Sequence, residues 1–323
     1  MTDSRVERVI FDGNRKATGV QLHTGKIISA SNEAIISAGA IATPHLLLHS
    51  GIGPADELSI HSIPIIHNLP GVGKNLIEHP AISTSLFLSP DTPDKSEVLS
   101  PLGRLQEPAA IAFVRLPELL ASAEFSALPA RTQQYLSKVP AAEVVPGADF
   151  SIFIPPADPP TPHRTIVDIL MSPQSRGTIK LRSSSPADSP LIDLNFLSHP
   201  YDRRGIIECV RAGLSYQKSP SWQVGITGVA GGPKSESDED ILEFAKNHIS
   251  ATMHPVGTCK MGLDQDKYAC VDRDFRVRGV TGLRVVDLSV APLLGSTHTQ
   301  SIAYLVGEVA AEKIIAEYGD ILQ

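Results

Sequence analysis

The sequence predicts a mixed fold, of α/β or α+β class, built as two lobes. Short β-rich runs and helical stretches succeed each other along all 323 residues, and no segment is repeated. A stretch rich in proline and alanine, from about residue 89 to residue 162, shows little periodicity and separates an earlier group of strands from a later one. Because 42% of the residues are hydrophobic, the chain can bury a sizeable core.

Strands and tight turns open the chain. Asp12-Gly13 and Thr24-Gly25 are dipeptides typical of hairpin turns. The strands predicted around these turns are Val6–Phe11, Gly19–Leu22, Lys26–Ser29 and Ala34–Ser37.

Two helices are predicted to follow. We expect Thr43 to cap the first, with Pro44 in its opening turn and Gly51 just past its end, because these residue types favour those positions. The second is expected to start at Pro54 and to carry two acidic residues in its first turn, where they suit the helix dipole.

The later part of the chain alternates strands and helices. Its proline-rich stretch Pro155–Pro162 is typical of a turn or linker. The elements predicted after it are strands at Thr165–Met171, Gly177–Leu181 and Leu283–Val286, and helices from Asp202 to Lys218, from the acidic run Ser235–Glu243, and at the end of the chain. The final helix is expected to pack through one apolar face, formed by Ile302, Leu305, Val306, Val309, Ala310 and Ile314.

Composition excludes several functional classes. With 28 basic and 35 acidic residues, a net charge of −7 gives no electrostatic reason to expect nucleic acid or an anionic membrane as partner. Three scattered cysteines indicate neither a disulfide framework nor a CxxC metal clip. No stretch is long and apolar enough to span a bilayer, and the N-terminus lacks the apolar region of a signal peptide. A reducing, cytoplasmic compartment is therefore expected.

A series of distinctive strings occurs in order along the chain. The most distinctive is GAIATPHLLLHSGIGP at Gly39–Pro54. The others are NLPGVGKNLIEHP at Asn68–Pro80, SRGTIKL at Ser175–Leu181, PLIDLNFL at Pro190–Leu197, HPVGTCKMG at His254–Gly262, LRVVDLSVAP at Leu283–Pro292 and GSTHTQSIAYLVGE at Gly295–Glu308. Together these strings resemble the glucose–methanol–choline (GMC) oxidoreductase family, and the string at Gly39–Pro54 resembles the family's second signature.

The resemblance implies a two-lobe GMC-type flavoprotein fold, with a truncated flavin lobe and a substrate lobe built on an antiparallel sheet. A partial FAD-binding lobe would occupy residues 1–85, a substrate-binding lobe residues 86–249, and a returning flavin-lobe segment residues 250–323. Dinucleotide-binding enzymes of this architecture hold the pyrophosphate with G-x-G-x-x-G between a strand and a helix, a motif that this sequence lacks. We therefore expect the front of the flavin lobe to be missing from the sequence.

The resemblance also implies two catalytic histidines. His254 matches the family's catalytic histidine, and an imidazole near its ordinary pKa suits removal of a hydroxyl proton. His298 matches a second position that holds His or Asn, and it comes just before the final helix. That helix's positive end and His298 together could stabilise a developing negative charge.

Five residues are expected to contact FAD. Asp287 follows a predicted strand, where ligands bind in open α/β sheets. The resemblance adds Gly39, at the adenosine end, and Leu288, Thr299 and Gln300 in the closing segment, although Leu288 replaces the small residue usual there. No metal site is predicted, because His45 and His49 stand one helical turn apart without a third ligand.

The favoured function is FAD-dependent oxidation of an alcohol, in a biosynthetic pathway, with a small-molecule alcohol as substrate. Two rivals stay open at this point. One is a flavin-independent acid–base catalyst (lyase, isomerase or cyclase) on the truncated scaffold. The other is a non-catalytic fragment or the partner subunit of a split enzyme. We also expect self-association, or a complementing N-terminal polypeptide that covers surface left by the missing segment.

Overall fold

The computed structural model describes residues 1–89, 111–146 and 163–319. Its contacts divide the chain into two compact units. Unit 1 consists of Met1–Glu78, Arg176–Asn195 and His254–Gln323, and unit 2 of His79–Ser175 and Phe196–Met253. The stretch Pro155–Pro162, predicted as a turn or linker, lies outside the described residues.

Residues 176–195 belong to unit 1, whereas the sequence placed them in the substrate-binding lobe. The reason is local hydrogen bonding. Leu76 and Gly177 exchange both backbone hydrogen bonds, at 3.1 and 2.8 Å, and the Ile179 N–H donates to the Gly73 carbonyl at 2.7 Å. Hydrogen bonds of this kind cannot be derived from the order of residues along the chain.

The strands of the described residues have the following bounds in chain order. They are β1 (Val6–Phe11), β2 (Ala17–Leu22), β3 (Ile27–Ser29), β4 (Ala34–Ile36), β5 (Ile52–Gly53), β6 (His67–Asn68), β7 (Pro80–Leu88), β8 (Ala112–Val114), β9 (Ala142–Pro146), β10 (His163–Leu170), β11 (Thr178–Lys180), β12 (Leu191–Asp193), β13 (Ile226–Gly231), β14 (Ser250–Ala251) and β15 (Leu283–Val285).

The helices of the same residues include the five that were predicted, and also three short ones, between residues 117 and 136, in a stretch where no helix was predicted. They are α1 (Gly39–His49), α2 (Ala55–Ile60), α3 (Pro117–Leu120), α4 (Ala123–Ser126), α5 (Ala130–Leu136), α6 (Pro200–Gln217), α7 (Asp238–His248) and α8 (Gln300–Tyr318), with a short 3₁₀ helix at Leu288–Val290. In the part of the chain that the structure describes, none of these helices combines the length and the apolar composition of a bilayer-crossing segment.

Small sheets and the helices packed against them form unit 1. Strands β1, β2 and β3 make an antiparallel sheet, as the hairpin dipeptides predicted. Strands β4 and β15, far apart in sequence, pair in parallel from Ala34↔Leu283 to Ile36↔Val285. Helix α1 packs against β1, so that its buried residues Leu47 and Leu48 join the core of this unit.

The predicted cap of α1 is wrong. The helix begins at Gly39, four residues before Thr43, and Pro44 lies inside it. A proline within a helix has no N–H to offer the carbonyl four residues earlier, here that of Ala40. The buried hydroxyl of Thr258 donates to this carbonyl at 2.6 Å, which satisfies it and lets the helix start early.

Unit 2 is built on an antiparallel sheet, as expected of a substrate lobe. The strand order is β13-β7-β10-β9-β8, and β14 also pairs with β7. Helix α6 covers β10 and β7, and its buried face includes Tyr201, Ile206 and Cys209. Helix α7 begins where the acidic run was predicted to start it, with the Ser237 hydroxyl accepting the Asp240 N–H.

The final helix, α8, has the predicted place in the chain but only part of the predicted packing. Ala310 is buried, as expected, and Val306 and Val309 pack against the core of unit 1. Leu305, predicted on the same face, is instead 62% exposed. Periodicity indicates that a face is apolar, but not whether another element of the chain covers it.

Candidate active site

His254 lies in a loop whose backbone is held from both sides. The preceding residue, Met253, has φ 61°, a conformation uncommon outside glycine, and the following residue is Pro255, which has no N–H. Both carboxylate oxygens of Glu78 accept the His254 backbone N–H, at 2.9 and 2.8 Å. With 5% exposure, Glu78 is itself buried.

The neighbouring residues extend this attachment. Ile77 and Val256 exchange both backbone hydrogen bonds, at 3.0 and 2.9 Å. The Asn75 amide nitrogen donates to the Gly257 carbonyl at 3.2 Å, and its amide oxygen accepts from the Arg176 guanidinium, also at 3.2 Å. The segment from residue 75 to residue 78 therefore fixes the segment that carries His254.

The structure brings the two predicted catalytic histidines together. The ring centroids of His254 and His298 lie 5.0 Å apart, with an angle of 55° between the planes. His254 is half-buried and His298 is exposed, just before α8. Burial, and next the neighbouring His298, lower the pKa of His254 to about 4. His254 is therefore neutral at neutral pH and can accept a proton.

The carboxylate of Asp287 forms hydrogen bonds with residues at the start of α1. It accepts from the Gly39 N–H at 2.9 Å, the Thr43 hydroxyl at 2.5 Å and the Ser289 N–H at 2.7 Å. Gly39 has φ +83°, and a Cβ built on it would meet no atom within 4 Å. The predicted pair Gly39 and Asp287 is thus in direct contact, and the space beside Gly39 is open.

Leu288 has a packing role in the structure. Its side chain contacts an apolar cluster that includes Ile77, Val256 and Ile302. Its carbonyl accepts the Gly257 N–H at 3.1 Å, which joins the loop of His254 to the segment after β15. Contact of Leu288 with FAD stays a prediction.

Thr299 and Gln300 lie where α8 begins. Thr299 is the N-cap residue, yet its side chain makes no capping hydrogen bond, and Gln300 is exposed at the first helical position. The positive end of a helix of 19 residues therefore lies next to His298 without a side-chain cap from Thr299.

Other candidates have ordinary structural explanations. His45 and His49 share a hydrogen bond between their Nε2 atoms at 3.0 Å, and burial is the first cause that lowers the pKa of His49 to about 4. Among the described residues no group of three or more His, Cys, Asp or Glu side chains could hold a metal ion. Burial raises the pKa of Cys259 well above its usual range, so it stays a thiol.

Sequence reasoning missed three residues that support the site: Asn75, Glu78 and Thr258. Glu78 and Asn75 stand inside the string NLPGVGKNLIEHP, and Thr258 stands inside HPVGTCKMG. The distinctive composition of the two strings could have singled these residues out as functional. Nothing in either string, however, indicates that the two segments contact each other in the fold.

The residues present suit part of an FAD site. The open space at Gly39 and the α8 end near His298 could each receive part of a ligand. The turn that would hold the pyrophosphate has no counterpart in this sequence.

Two family models match the chain. Both are described as GMC oxidoreductase; the N-terminal model matches residues 1–81 and the C-terminal model residues 173–307. Together they cover more than half of the chain.

Curated relatives agree with these matches. The glucose methanol choline oxidoreductase atC of Aspergillus terreus is 34% identical over 96% of this chain and 54% of its own length. An alcohol dehydrogenase [acceptor] of Pseudomonas putida is 32% identical over 98% of this chain and 57% of its own length. The versicolorin B synthase stcN of Emericella nidulans is 31% identical over 98% and 52%. The chain thus spans about half the length of the curated relatives it matches.

Solved structures share the fold. A substituted form of Aspergillus oryzae formate oxidase, studied for modification of its FAD, superposes with a TM-score of 0.84 at 27% identity, over 98% of this chain and 61% of the other. A fungal aryl-alcohol oxidase superposes with a TM-score of 0.76 at 29% identity, over 98% and 60%. FAD is thus the cofactor expected at the level of the family.

Proposed function

The chain belongs to the GMC oxidoreductase family. We propose that it is the catalytic part of an FAD-dependent dehydrogenase or oxidase that acts on a primary or secondary alcohol. The observation that carries this proposal is the pair of histidines, His254 and His298, with ring centroids 5.0 Å apart. Relatives named alcohol dehydrogenase and choline oxidase support the substrate class.

His254 acts as the general base in this proposal. A ring nitrogen of His254 takes the proton from the alcohol oxygen, which a neutral imidazole can do. A pKa lowered to about 4 keeps the ring neutral at neutral pH, so its nitrogen is free to accept, but it also makes His254 a weaker base than the imidazole of ordinary pKa that the sequence predicted. FAD, when bound, supplies the acceptor for the hydride.

His298 and the beginning of α8 support the same site. As the proton leaves, negative charge develops on the alcohol oxygen. The imidazole of His298 can donate a hydrogen bond to it, and the positive end of the helix dipole favours an anion there. Asp287 acts through Gly39 and Thr43, since its carboxylate holds the turn that leaves open space at Gly39.

We further propose that this chain supplies only part of the FAD site. Without a pyrophosphate-holding turn, the chain alone should bind FAD weakly or not at all. A yellow, stoichiometric flavin that survives gel filtration of the purified chain would contradict this part of the proposal.

The test of the proposal is His254→Ala. FAD is supplied in large excess, so that even weakly held flavin occupies the site, together with a panel of alcohols. We expect the chain to bleach oxidised flavin under these conditions, and His254→Ala to slow this about 10²–10⁴-fold, on the order of 3–5 kcal/mol. His23→Ala, at an exposed histidine of the same unit, is the matched control. If His254→Ala folds normally by circular dichroism and keeps full activity, the assignment of the base is wrong.

A flavin-independent acid–base reaction is the second candidate. It is favoured by one observation, that a 31% identical relative is named a synthase. In this version His254 and His298 both pass protons. Turnover that continues after FAD is removed would support the flavin-independent reaction and contradict the redox proposal.

A further inference from the structure

We propose that Glu78 is a positioning residue for His254, and that its carboxylate holds the His254 backbone N–H so that the imidazole stays beside His298. This inference rests on the proposed function, in which His254 is the base.

The hydrogen bond between the Glu78 carboxylate and the His254 N–H is of a strong type. Both oxygens of Glu78 lie within hydrogen-bond distance of one N–H, at 2.9 and 2.8 Å. A hydrogen bond to a carboxylate is stronger than one between neutral groups, and burial of Glu78 strengthens it further because little water competes.

The backbone around His254 explains why a side chain is needed there. The segment that carries His254 pairs with the segment that carries Glu78 on both sides of this point. Val256 exchanges two backbone hydrogen bonds with Ile77, and Ala251 pairs with Pro80. Between these two pairs, residues 252–255 stand opposite residues 78–79 only, so the longer segment bulges, with Met253 in a left-handed conformation. Within this bulge the Glu78 carboxylate accepts the N–H of His254 and so holds the bulged backbone.

Glu78 acts on the position of the ring rather than on its charge. Its carboxylate accepts the main-chain N–H of His254, while the causes that lower the pKa of the ring are burial and, next, His298. If the loop moves, the His254 ring should lose its burial and its contact with His298 at the same time. The pKa of the ring and its proximity to His298 therefore report on its position.

The experiment follows the histidine rings by NMR in the chain labelled at histidine Cε1, with the His254 signal assigned from its absence in His254→Gln. Glu78→Ala removes the acceptor, and Glu78→Gln keeps a side-chain carbonyl that can accept the same N–H. Glu57→Ala is the matched control, because the Glu57 carboxylate also accepts a backbone N–H of unit 1, that of Leu181 at 2.8 Å.

We expect the pKa of His254 in Glu78→Ala to rise by about one unit or more toward the ordinary histidine value. The nuclear Overhauser effect between the rings of His254 and His298 should disappear. Glu78→Gln should keep both signatures, and Glu57→Ala should keep both even where its melting temperature falls.

The proposal is overturned if folded Glu78→Ala keeps the pKa of His254 and the contact between the rings. Should Glu78→Ala fail to fold, Glu78→Asp gives the same decision, because its shorter side chain withdraws the carboxylate from the N–H. Neither readout depends on turnover. A fully active His254→Ala would therefore refute the role of His254 as the base, and the hold of Glu78 on the His254 loop would still stand or fall by these two readouts.

Discussion

At the scale of single residues, the chemistry of the candidate site depends on what each imidazole must do. In the redox reading His298 only stabilises charge, whereas in the acid–base reading it passes a proton itself. Asparagine keeps a hydrogen-bond donor but has no group that titrates near neutral pH. Replacement of His298 by asparagine therefore distinguishes the redox function from the acid–base function, although both would use the imidazoles of His254 and His298.

We expect His298→Ala to lower activity about 10²–10³-fold in either reading, the usual effect of removing one stabilising donor. His298→Asn should retain much of a redox activity and should abolish a lyase, isomerase or cyclase activity. The measurement is turnover of both variants, with flavin reduction followed in parallel. Equal loss in the two variants while flavin is still reduced by the wild type would contradict the redox role given to His298.

The residues of the site differ in how far the sequence could predict them. His254 and His298 stand in strings of distinctive composition, so resemblance was enough to single them out. Glu78 was missed because its partner is a backbone N–H 176 positions away in the sequence. Such a contact leaves no periodicity and no spacing to detect, and it exists only once the two segments are paired.

At the scale of secondary-structure elements, one strand and one helix of unit 2 meet at a buried acid. Asp168, on β10, is fully buried, and neither of its carboxyl oxygens has a hydrogen-bond partner among the described residues. A Cβ added to Gly213 of α6 would lie 2.2 and 2.5 Å from those oxygens. A side chain at this helical position would therefore force the carboxyl of Asp168 to move.

Gly213→Ala tests this packing. In an exposed helix the change should stabilise by up to about 1 kcal/mol, but the overlap with Asp168 should make it destabilising by about 1–3 kcal/mol. Gly307→Ala in α8, where a Cβ meets nothing within 4 Å, is the control and should stabilise. Chemical denaturation measures both. A Gly213→Ala protein as stable as the wild type would show that the carboxyl moves away freely.

The same carboxyl predicts a pH dependence. Burial raises the pKa of Asp168 well above its usual range, so the folded state holds its proton to higher pH than the unfolded state does. The stability that this proton provides is complete below the unfolded pKa of about 4 and is lost as pH rises toward the folded pKa. Asp168→Asn should flatten this decline in the free energy of unfolding. If the free energy of unfolding falls with rising pH equally in Asp168→Asn and the wild type, Asp168 is not the source of the pH dependence.

The elements that were predicted are present, but the three short helices between residues 117 and 136 and the strands β8 and β9 were missed, because their stretch shows no clear periodicity. Tertiary surroundings were also missed. The helix α8 was found from its apolar period, but the exposure of Leu305 was not, because coverage depends on elements elsewhere in the fold. The early start of α1 depends on Thr258, 218 positions from the carbonyl that it satisfies. Both failures come from tertiary contacts, which outweigh local preference.

At the scale of the whole molecule, unit 1 exposes apolar surface on two elements. Tyr304, Leu305 and Ile315 of α8 are 74%, 62% and 62% exposed, and Ile35 of β4 is 47% exposed. Strand β4 pairs with β15 and with no other strand among the described residues. A two-stranded parallel sheet is unusual by itself, since parallel sheets are ordinarily larger and covered on both faces.

We propose that this surface is covered in solution, by a second copy of the chain or by a complementing polypeptide. The purified chain should therefore self-associate and bind a dye that reports hydrophobic surface, because exposed apolar area and a strand edge both favour association. Tyr304→Lys combined with Ile315→Lys should shift the chain toward the monomer in light scattering. Leu263→Lys, at a residue 70% exposed elsewhere in unit 1, should leave the association unchanged. A wild-type chain that stays a monodisperse monomer at high concentration and binds no dye would refute the proposal.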